Sequence, residues 1–217
     1  MTDRRSTLER LYGLERDRLR ALNDTADAPG EYLRPVFGNG DPESRVMVIG
    51  EAPGREETEA GIPFVGKAGR QLDAMFLAAG IDRAGLFVTN SVKYRPFSVS
   101  SGGKRNRTPM KREVLEGAVL LKEEILLIKP GWIVTLGNTP LSAVQMIFGM
   151  DNRKIGDVHG QILSIRTSQS GLRLYPMYHP ASAIYDRSLS DTLKTDMINF
   201  GSLLHPYRAP EECSKQI

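Results

Sequence analysis

Two polar side chains stand directly after apolar runs, where they could meet a ligand. His179 follows residues 174–178, and its imidazole can donate a hydrogen bond to developing negative charge. Asn90 closes residues 86–90, and its amide offers one acceptor and two donors. Phe64 lies among glycines, where an aromatic ring can stack on a flat ligand. These residue types suit recognition of a flat polar molecule and stabilisation of negative charge on it.

The loop GEAPG, residues 50–54, is a third candidate. Two glycines and a proline at a strand exit can present backbone N–H groups to an acceptor, although a simple tight turn has the same composition. The loop lacks the Gly-Lys-Ser/Thr ending of a phosphate-binding P-loop. Each of the other candidates also has a structural alternative: Asn90 as a cap, Phe64 as core and His179 as a hydrogen-bonded structural residue.

These candidates need a scaffold that brings strand ends together. Apolar runs predict four buried strands that alternate with amphipathic helices. We therefore predict an α/β three-layer sandwich with a central, mainly parallel four-stranded sheet flanked by helices. In such sheets ligands bind at the carboxyl ends of the strands, where the candidates lie. The predicted strands are 45–50, 86–90, 132–136 and 174–178, and 161–165 is a possible edge strand.

The flanking segments complete a predicted single domain, residues 1–205. Residues 6–22 form an amphipathic helix, with Ser6 as N-cap and Glu9 completing a capping box. Residues 98–107 (SVSSGGKRNR) read as a flexible basic loop. Residues 206–217 are a polar tail.

Composition excludes several classes of function. The 217 residues are 40% hydrophobic, with no run of the ~20 apolar residues that span a membrane and no secretory signal, so a cytoplasmic protein is expected. A net charge of +3 permits a nucleic-acid partner without requiring one. The single cysteine, Cys213, excludes an intramolecular disulfide and a cysteine-ligated metal site. No metal or cofactor is expected, and we expect a monomer.

Taken together, the motifs resemble the family-four uracil-DNA glycosylases. The matching segments share order and approximate spacing and cover about residues 38–204. They are GEAPGREE (50–57), GIPFVGKAG (61–69), VTN (88–90), NRTP (106–109), IVTLGNTPL (133–141) and HPA (179–181).

The resemblance implies a role for each candidate in removing a flipped-out uracil from DNA. Phe64 would stack on the base, and Asn90 would read its Watson–Crick edge. His179 would hydrogen-bond O2 and stabilise the uracil anion. Three further groups complete the implied site: backbone N–H groups of the loop with Gly50, Ala52 and Gly54, Glu57 as a wall against the 5-methyl of thymine, and Glu51 as a candidate to activate water.

DNA contacts are implied on both sides of the base site. The region from Pro180 would approach the minor groove, with Ile184 or Tyr185 as a wedge between base steps. The other implied contacts are basic: Lys67, Lys104, Arg105, Arg107 and Arg187.

Departures from the family pattern concern an iron–sulfur cluster. Members of family four usually hold one on four cysteines, the third in a VKCRP-like segment. Here Tyr94 replaces that cysteine, Gly117 stands about where the fourth would be, and residues 21–30 contain none. The cluster is therefore absent, and packing must replace it. A related branch traps the sugar on a histidine in the basic loop, and residues 98–107 contain no histidine.

Four functions remain open at this point. The first is a monofunctional glycosylase for uracil, and the second is the same scaffold acting on another deaminated base, such as hypoxanthine or xanthine. The third is a protein that binds DNA or a base without cleavage, which Asn90 and His179 argue against. The fourth is an unrelated nucleotide-binding module, which would need a phosphate-loop lysine.

Overall fold

The computed structural model describes residues 3–25, 29–167, 171–186 and 188–204. The eight α-helices of these residues are α1 (Arg4–Asn23), α2 (Arg55–Ala60), α3 (Lys67–Ala78), α4 (Lys111–Ile128), α5 (Asn138–Ile147), α6 (Ile155–Val158), α7 (Ser182–Tyr185) and α8 (Ser188–Leu204). The eight strands are β1 (Asn39–Gly40), β2 (Val46–Gly50), β3 (Phe87–Asn90), β4 (Phe97–Ser100), β5 (Gly103–Asn106), β6 (Trp132–Leu136), β7 (Leu163–Ser164) and β8 (Arg173–Met177).

The central sheet is larger than the sequence predicted. Its order is β1-β3-β2-β6-β8-β7, with parallel pairing between the four inner strands and antiparallel pairing at both edges. The predicted four-stranded sheet is therefore wrong in strand number. Each edge strand has only two residues: β7 lies within the possible edge strand 161–165, and β1 was not predicted. Strands this short carry no periodic signal. The mixed α/β class and the flanking helices are confirmed.

Continuous burial of the inner strands explains their parallel arrangement. All residues of β2, β3 and β6 are buried, so both faces of the sheet are covered. Val48, Val134 and Tyr175 face a core formed with α3 and α8, and Met47 and Ile133 face a second core formed with α4 and α5. Pro176 is tolerated because β7 pairs only with the first two residues of β8.

Two local predictions are corrected. Residues 98–107 form most of a hairpin, β4–β5, rather than a flexible loop, with Phe97 opposite Asn106. The first helix is capped by Asp3, whose carboxylate accepts the Arg5 N–H, rather than by Ser6 with Glu9. Pairing along the hairpin satisfies backbone groups that the composition suggested would face water.

Candidate active site

The residues singled out in the sequence meet at one edge of the sheet. Gly50 ends β2 and Asn90 ends β3, and these two residues are paired in register. Gly137 follows β6, and its φ of 97° is one that glycine adopts without strain. His179 follows β8, and a β-carbon at Gly137 would lie 3.4 Å from the His179 Cβ. The four inner strands therefore supply one composite site.

Gly50 leaves room for an aromatic ring and an amide to converge. A β-carbon there would lie 2.3 Å from Asn90 Oδ1 and 2.4 Å from Phe64 Cζ. Asn90 is 2% exposed, and its Nδ2 has no hydrogen-bond partner among the described residues. A buried donor without a partner is costly, and such groups occur where a ligand completes the bond.

Glu57 fixes the position of Phe64. Its carboxylate accepts the backbone N–H groups of Gly54 and Phe64, both at 2.5 Å, and thereby joins the loop after β2 to the start of α3. Phe64 has a φ of 59°, which is uncommon for a bulky residue and must be stabilised by its surroundings. Burial raises the pKa of Glu57, and the two N–H groups oppose that shift. Both carboxylate oxygens of Glu57 therefore bind backbone N–H groups of the protein. Its role as a wall against the 5-methyl group of thymine stays a prediction.

Burial determines the protonation state of His179. It lowers the pKa of the imidazole to about 4, so the ring is neutral at pH 7. Its Nδ1 lies 3.1 Å from the Ala181 backbone N–H and accepts that hydrogen bond. The single ring proton is therefore on Nε2, which is available as a neutral donor.

Glu51 lies on the loop after β2, at the same end of the sheet. Its Oε2 accepts the Thr139 hydroxyl at 2.7 Å, which connects the residues after β2 and β6. Burial raises the pKa of Glu51, and the Thr139 bond opposes the shift. A carboxylate whose pKa is raised is a stronger base than an ordinary glutamate and is suited to accept a proton.

An open groove of about 510 Å³ runs from Gly54 past the N-terminus of α3 to Ala181. Lys67, Lys104 and Arg105 line it, and all three are exposed. Lys104 Nζ also lies 2.8 Å from Glu31 Oε1 and 4.3 Å from the centroid of Phe97. Its lining carries five basic side chains and two glutamates, so the groove is basic.

The other residues predicted to contact DNA do not line this groove or are not among the described residues. Arg107 is bound inside the protein, where its guanidinium donates to both oxygens of Glu113, and its predicted DNA contact remains untested. Arg187 and the side chains of Ile184 and Tyr185 fall outside the described residues.

Sequence reasoning missed two residues of the groove. Arg95 Nε donates to Asn106 Oδ1 at 2.6 Å, and this bond holds β5 against the segment that leaves β3. Both residues line the groove. Asn106 had a signal, since it opens the NRTP motif. Arg95 had none, because its burial and its contact with Asn106 arise only in the folded chain.

Comparisons with known proteins agree with this geometry. The Uracil DNA glycosylase superfamily model matches residues 37–200. The chain belongs to the uracil DNA glycosylase superfamily. It is 36% identical over 165 residues to a Type-4 uracil-DNA glycosylase of Pyrobaculum aerophilum, an alignment covering 76% of this chain and 81% of the relative. It is 35% identical over 162 residues to a Type-4 uracil-DNA glycosylase of Sulfurisphaera tokodaii, covering 74% of this chain and 70% of the relative. It is 30% identical over 168 residues to the Type-4 enzyme of Archaeoglobus fulgidus, covering 77% of this chain and 81% of the relative.

Membership confirms the predicted class of enzyme, a hydrolytic DNA glycosylase, and the family-four resemblance. In the described part of the chain, no helix is both long and apolar enough to cross a membrane.

The residues at the family's cluster position do not fit an iron–sulfur cluster. The ring of Tyr94 packs on Tyr32, with centroids 4.3 Å apart, among Leu19 and Val92. Ala52 of the loop after β2 packs against the same group. A cluster of aromatic and aliphatic side chains thus connects α1 to the loop 50–54, at the place where the family pattern has an iron–sulfur cluster.

Gly117, which stands about where the fourth cluster cysteine would be, does not fit a cluster either. A β-carbon there would lie 2.3 Å from the Ser91 carbonyl oxygen, so α4 packs directly on the segment after β3. Neither position leaves room or a ligand for a cluster.

Tyr94→Ala is expected to destabilise the protein by ~3–5 kcal/mol, because truncating a buried ring leaves a cavity. Tyr94→Phe keeps the ring and loses the hydrogen bonds of the hydroxyl with Tyr32 and Glu113, at a cost of about 1–2 kcal/mol. Equilibrium denaturation measures both free energies of unfolding. An iron chelator should leave the wild-type midpoint unchanged, and a chelator-sensitive midpoint would contradict this account of the packing.

Proposed function

We propose that this protein excises uracil from DNA by hydrolysing the N-glycosidic bond of a flipped-out nucleotide. The observation that supports uracil most directly is the buried Asn90 amide, whose Nδ2 lacks a partner among the described residues and whose Oδ1 faces Gly50. Uracil offers an acceptor, O4, beside a donor, N3–H. Those groups complement an amide nitrogen and an amide oxygen.

The geometry of the strand ends suits a flat pyrimidine. Asn90 and His179 follow strands three positions apart in the sheet, which corresponds to about 14 Å at ~4.8 Å per strand. The side chains of Asn90 and His179, with a uracil ring hydrogen-bonded between them, fill that span. Phe64 stacks on the face of the ring, held in place by Glu57.

Bond cleavage sends the bonding electron pair of C1′–N1 to the base. His179 Nε2–H donates to uracil O2, where negative charge develops, and its neutral ring gives up no proton to the base. The backbone N–H groups of the loop with Gly50, Ala52 and Gly54 support this stabilisation. Water then adds to C1′, and its proton passes to Glu51.

Glu51→Gln is expected to lower the single-turnover rate by ~10², the low end for general base catalysis, because departure of the anion already leaves an electrophilic sugar. The wild-type rate should fall on the acid side as Glu51 protonates, at a pH above the ordinary glutamate range, since burial raises its pKa. That acid limb should be absent from the pH–rate profile of the variant. A limb that persists in Glu51→Gln would assign it to another group.

DNA would bind along the basic groove. We propose backbone phosphate contacts for Lys67, Lys104 and Arg105, and keep Arg107 and Arg187 as further contacts. Ile184 or Tyr185 would enter the minor groove as the wedge. A monomer acting in the cytoplasm, without a cofactor, is part of the same proposal.

The test uses an oligonucleotide with one labelled uracil, followed by alkaline cleavage of abasic sites. Wild-type protein should yield strand breaks, and Asn90→Ala should yield them at a much lower residual rate. Matched oligonucleotides carrying hypoxanthine or xanthine run in parallel. Breaks only with these bases would replace uracil by another deaminated base, and tight binding without breaks on any of them would indicate a binding protein.

A further inference from the structure

A buried cation lies behind the base-reading amide. Lys93, three residues after Asn90, is 1% exposed. Its Nζ donates to the Asn90 carbonyl oxygen at 2.6 Å, to Thr89 Oγ1 at 2.7 Å and to Glu124 Oε2 at 2.7 Å. All three protons of the ammonium group are therefore used.

Glu124 on α4 is the counterion and is fully buried. Its carboxylate also accepts the Tyr12 hydroxyl at 2.9 Å and the Thr89 hydroxyl. Burial lowers the pKa of Lys93, and Glu124 opposes that shift. Helices α1 and α4 thus converge on one charged pair beneath the end of β3.

The peptide between Asn90 and Ser91 is held from both sides, by Lys93 and by Gly50. Lys93 binds the Asn90 carbonyl, and the N–H of the same peptide, from Ser91, donates to the Gly50 carbonyl at 2.9 Å. This peptide therefore links Asn90, whose side chain would read the base, to Gly50, which leaves room for that side chain. Its rotation would move the Asn90 side chain relative to Gly50 and Phe64.

We propose that Lys93, supported by Glu124, is a positioning residue that holds Asn90 in its base-reading orientation; this inference rests on the proposed excision of uracil. A buried ion pair is weak evidence for stability alone, since apolar replacements are often as stable. Its hydrogen bond to the Asn90 backbone gives this pair a second role, in the reaction.

The test replaces both charges at once. Lys93→Met/Glu124→Gln leaves no unpaired buried charge and keeps an acceptor for Tyr12 and Thr89. We expect the single-turnover rate on uracil DNA to fall ~10²-fold, as for a small misplacement of a reacting group. Affinity for DNA with an abasic-site analogue should change less than twofold, because neither Lys93 nor Glu124 lines the groove. Tyr12→Phe is the matched control, because it removes one hydrogen bond to Glu124 but leaves the contact between Lys93 and the Asn90 carbonyl. Its excision rate should equal that of wild type.

A double-mutant cycle separates positioning from general damage. In an Asn90→Ala background, the Lys93/Glu124 exchange should reduce the residual rate less than threefold, because its effect passes through Asn90. An equal loss in both backgrounds would overturn the proposal. If the double exchange does not fold, Lys93→Arg takes its place, since it keeps the charge pair but moves the donors away from the Asn90 carbonyl, and it should show the same non-additivity with a smaller loss.

A second readout does not depend on activity. The Asn90 side-chain amide signals in a ¹⁵N–¹H spectrum are identified by their absence in Asn90→Ala. They should shift or broaden in the Lys93/Glu124 variant and stay in place in Tyr12→Phe. Unmoved signals would refute the positioning role even if wild-type protein proved inactive on uracil, whereas that inactivity by itself would refute only the proposed function.

Discussion

Replacing His179 by alanine is expected to reduce the single-turnover rate of uracil excision by ~10²–10³, the usual cost of losing one charge-stabilising donor. The loss should fall on the chemical step, because the charge at uracil O2 develops only as the bond breaks. His179→Gln offers an amide N–H of similar reach and should recover part of the rate. Oligonucleotide cleavage with enzyme in excess measures all three rates. Equal rates for wild type and His179→Ala would remove His179 from the mechanism.

The low pKa of His179 adds a stability signature to this variant. The folded pKa of about 4 lies below the ordinary value of 6.5, so between these values the unfolded chain binds more protons. The free energy of unfolding should therefore rise with pH across this window. Denaturation of His179→Gln should show a shallower rise, and an identical slope would mean that the ring is not neutral in the folded protein.

Gly50→Ala is expected to lower the excision rate by ~10² or more, because a misplacement of about 1 Å at a reacting centre has that effect. The new β-carbon would lie 2.3 Å from Asn90 Oδ1 and 2.4 Å from Phe64 Cζ, so at least one of them must move. Binding to abasic-site DNA should be nearly unchanged, since the basic groove is untouched.

Gly85→Ala provides the matched control for this substitution. Its added β-carbon would meet no atom within 4 Å, and the residue is exposed on a short 3-10 helix. Its excision rate should equal that of wild type. A wild-type rate in Gly50→Ala would show that the base does not occupy the space between Phe64 and Asn90.

The sequence by itself determined the inner sheet and the residues at its edge. Apolar runs followed by Asn90 and His179 were sufficient, because parallel strands must be buried on both faces and their carboxyl ends share one edge. Absence of the cluster was equally determined, since one cysteine cannot replace four ligands. The edge strand β1 and the β4–β5 hairpin were not predictable, because neither carries an apolar period. The edge strand β7 was anticipated only as the longer possible strand 161–165.

Only the tertiary structure decided how the site residues work. The tautomer and low pKa of His179 come from burial and from the Ala181 N–H. The backbone N–H of Phe64 is held by Glu57, seven positions away, and the carbonyl of Asn90 is held by Lys93, whose counterion is Glu124 on α4. Hydrogen bonding and desolvation depend on which groups meet in space, whereas periodicity records only which residues are buried.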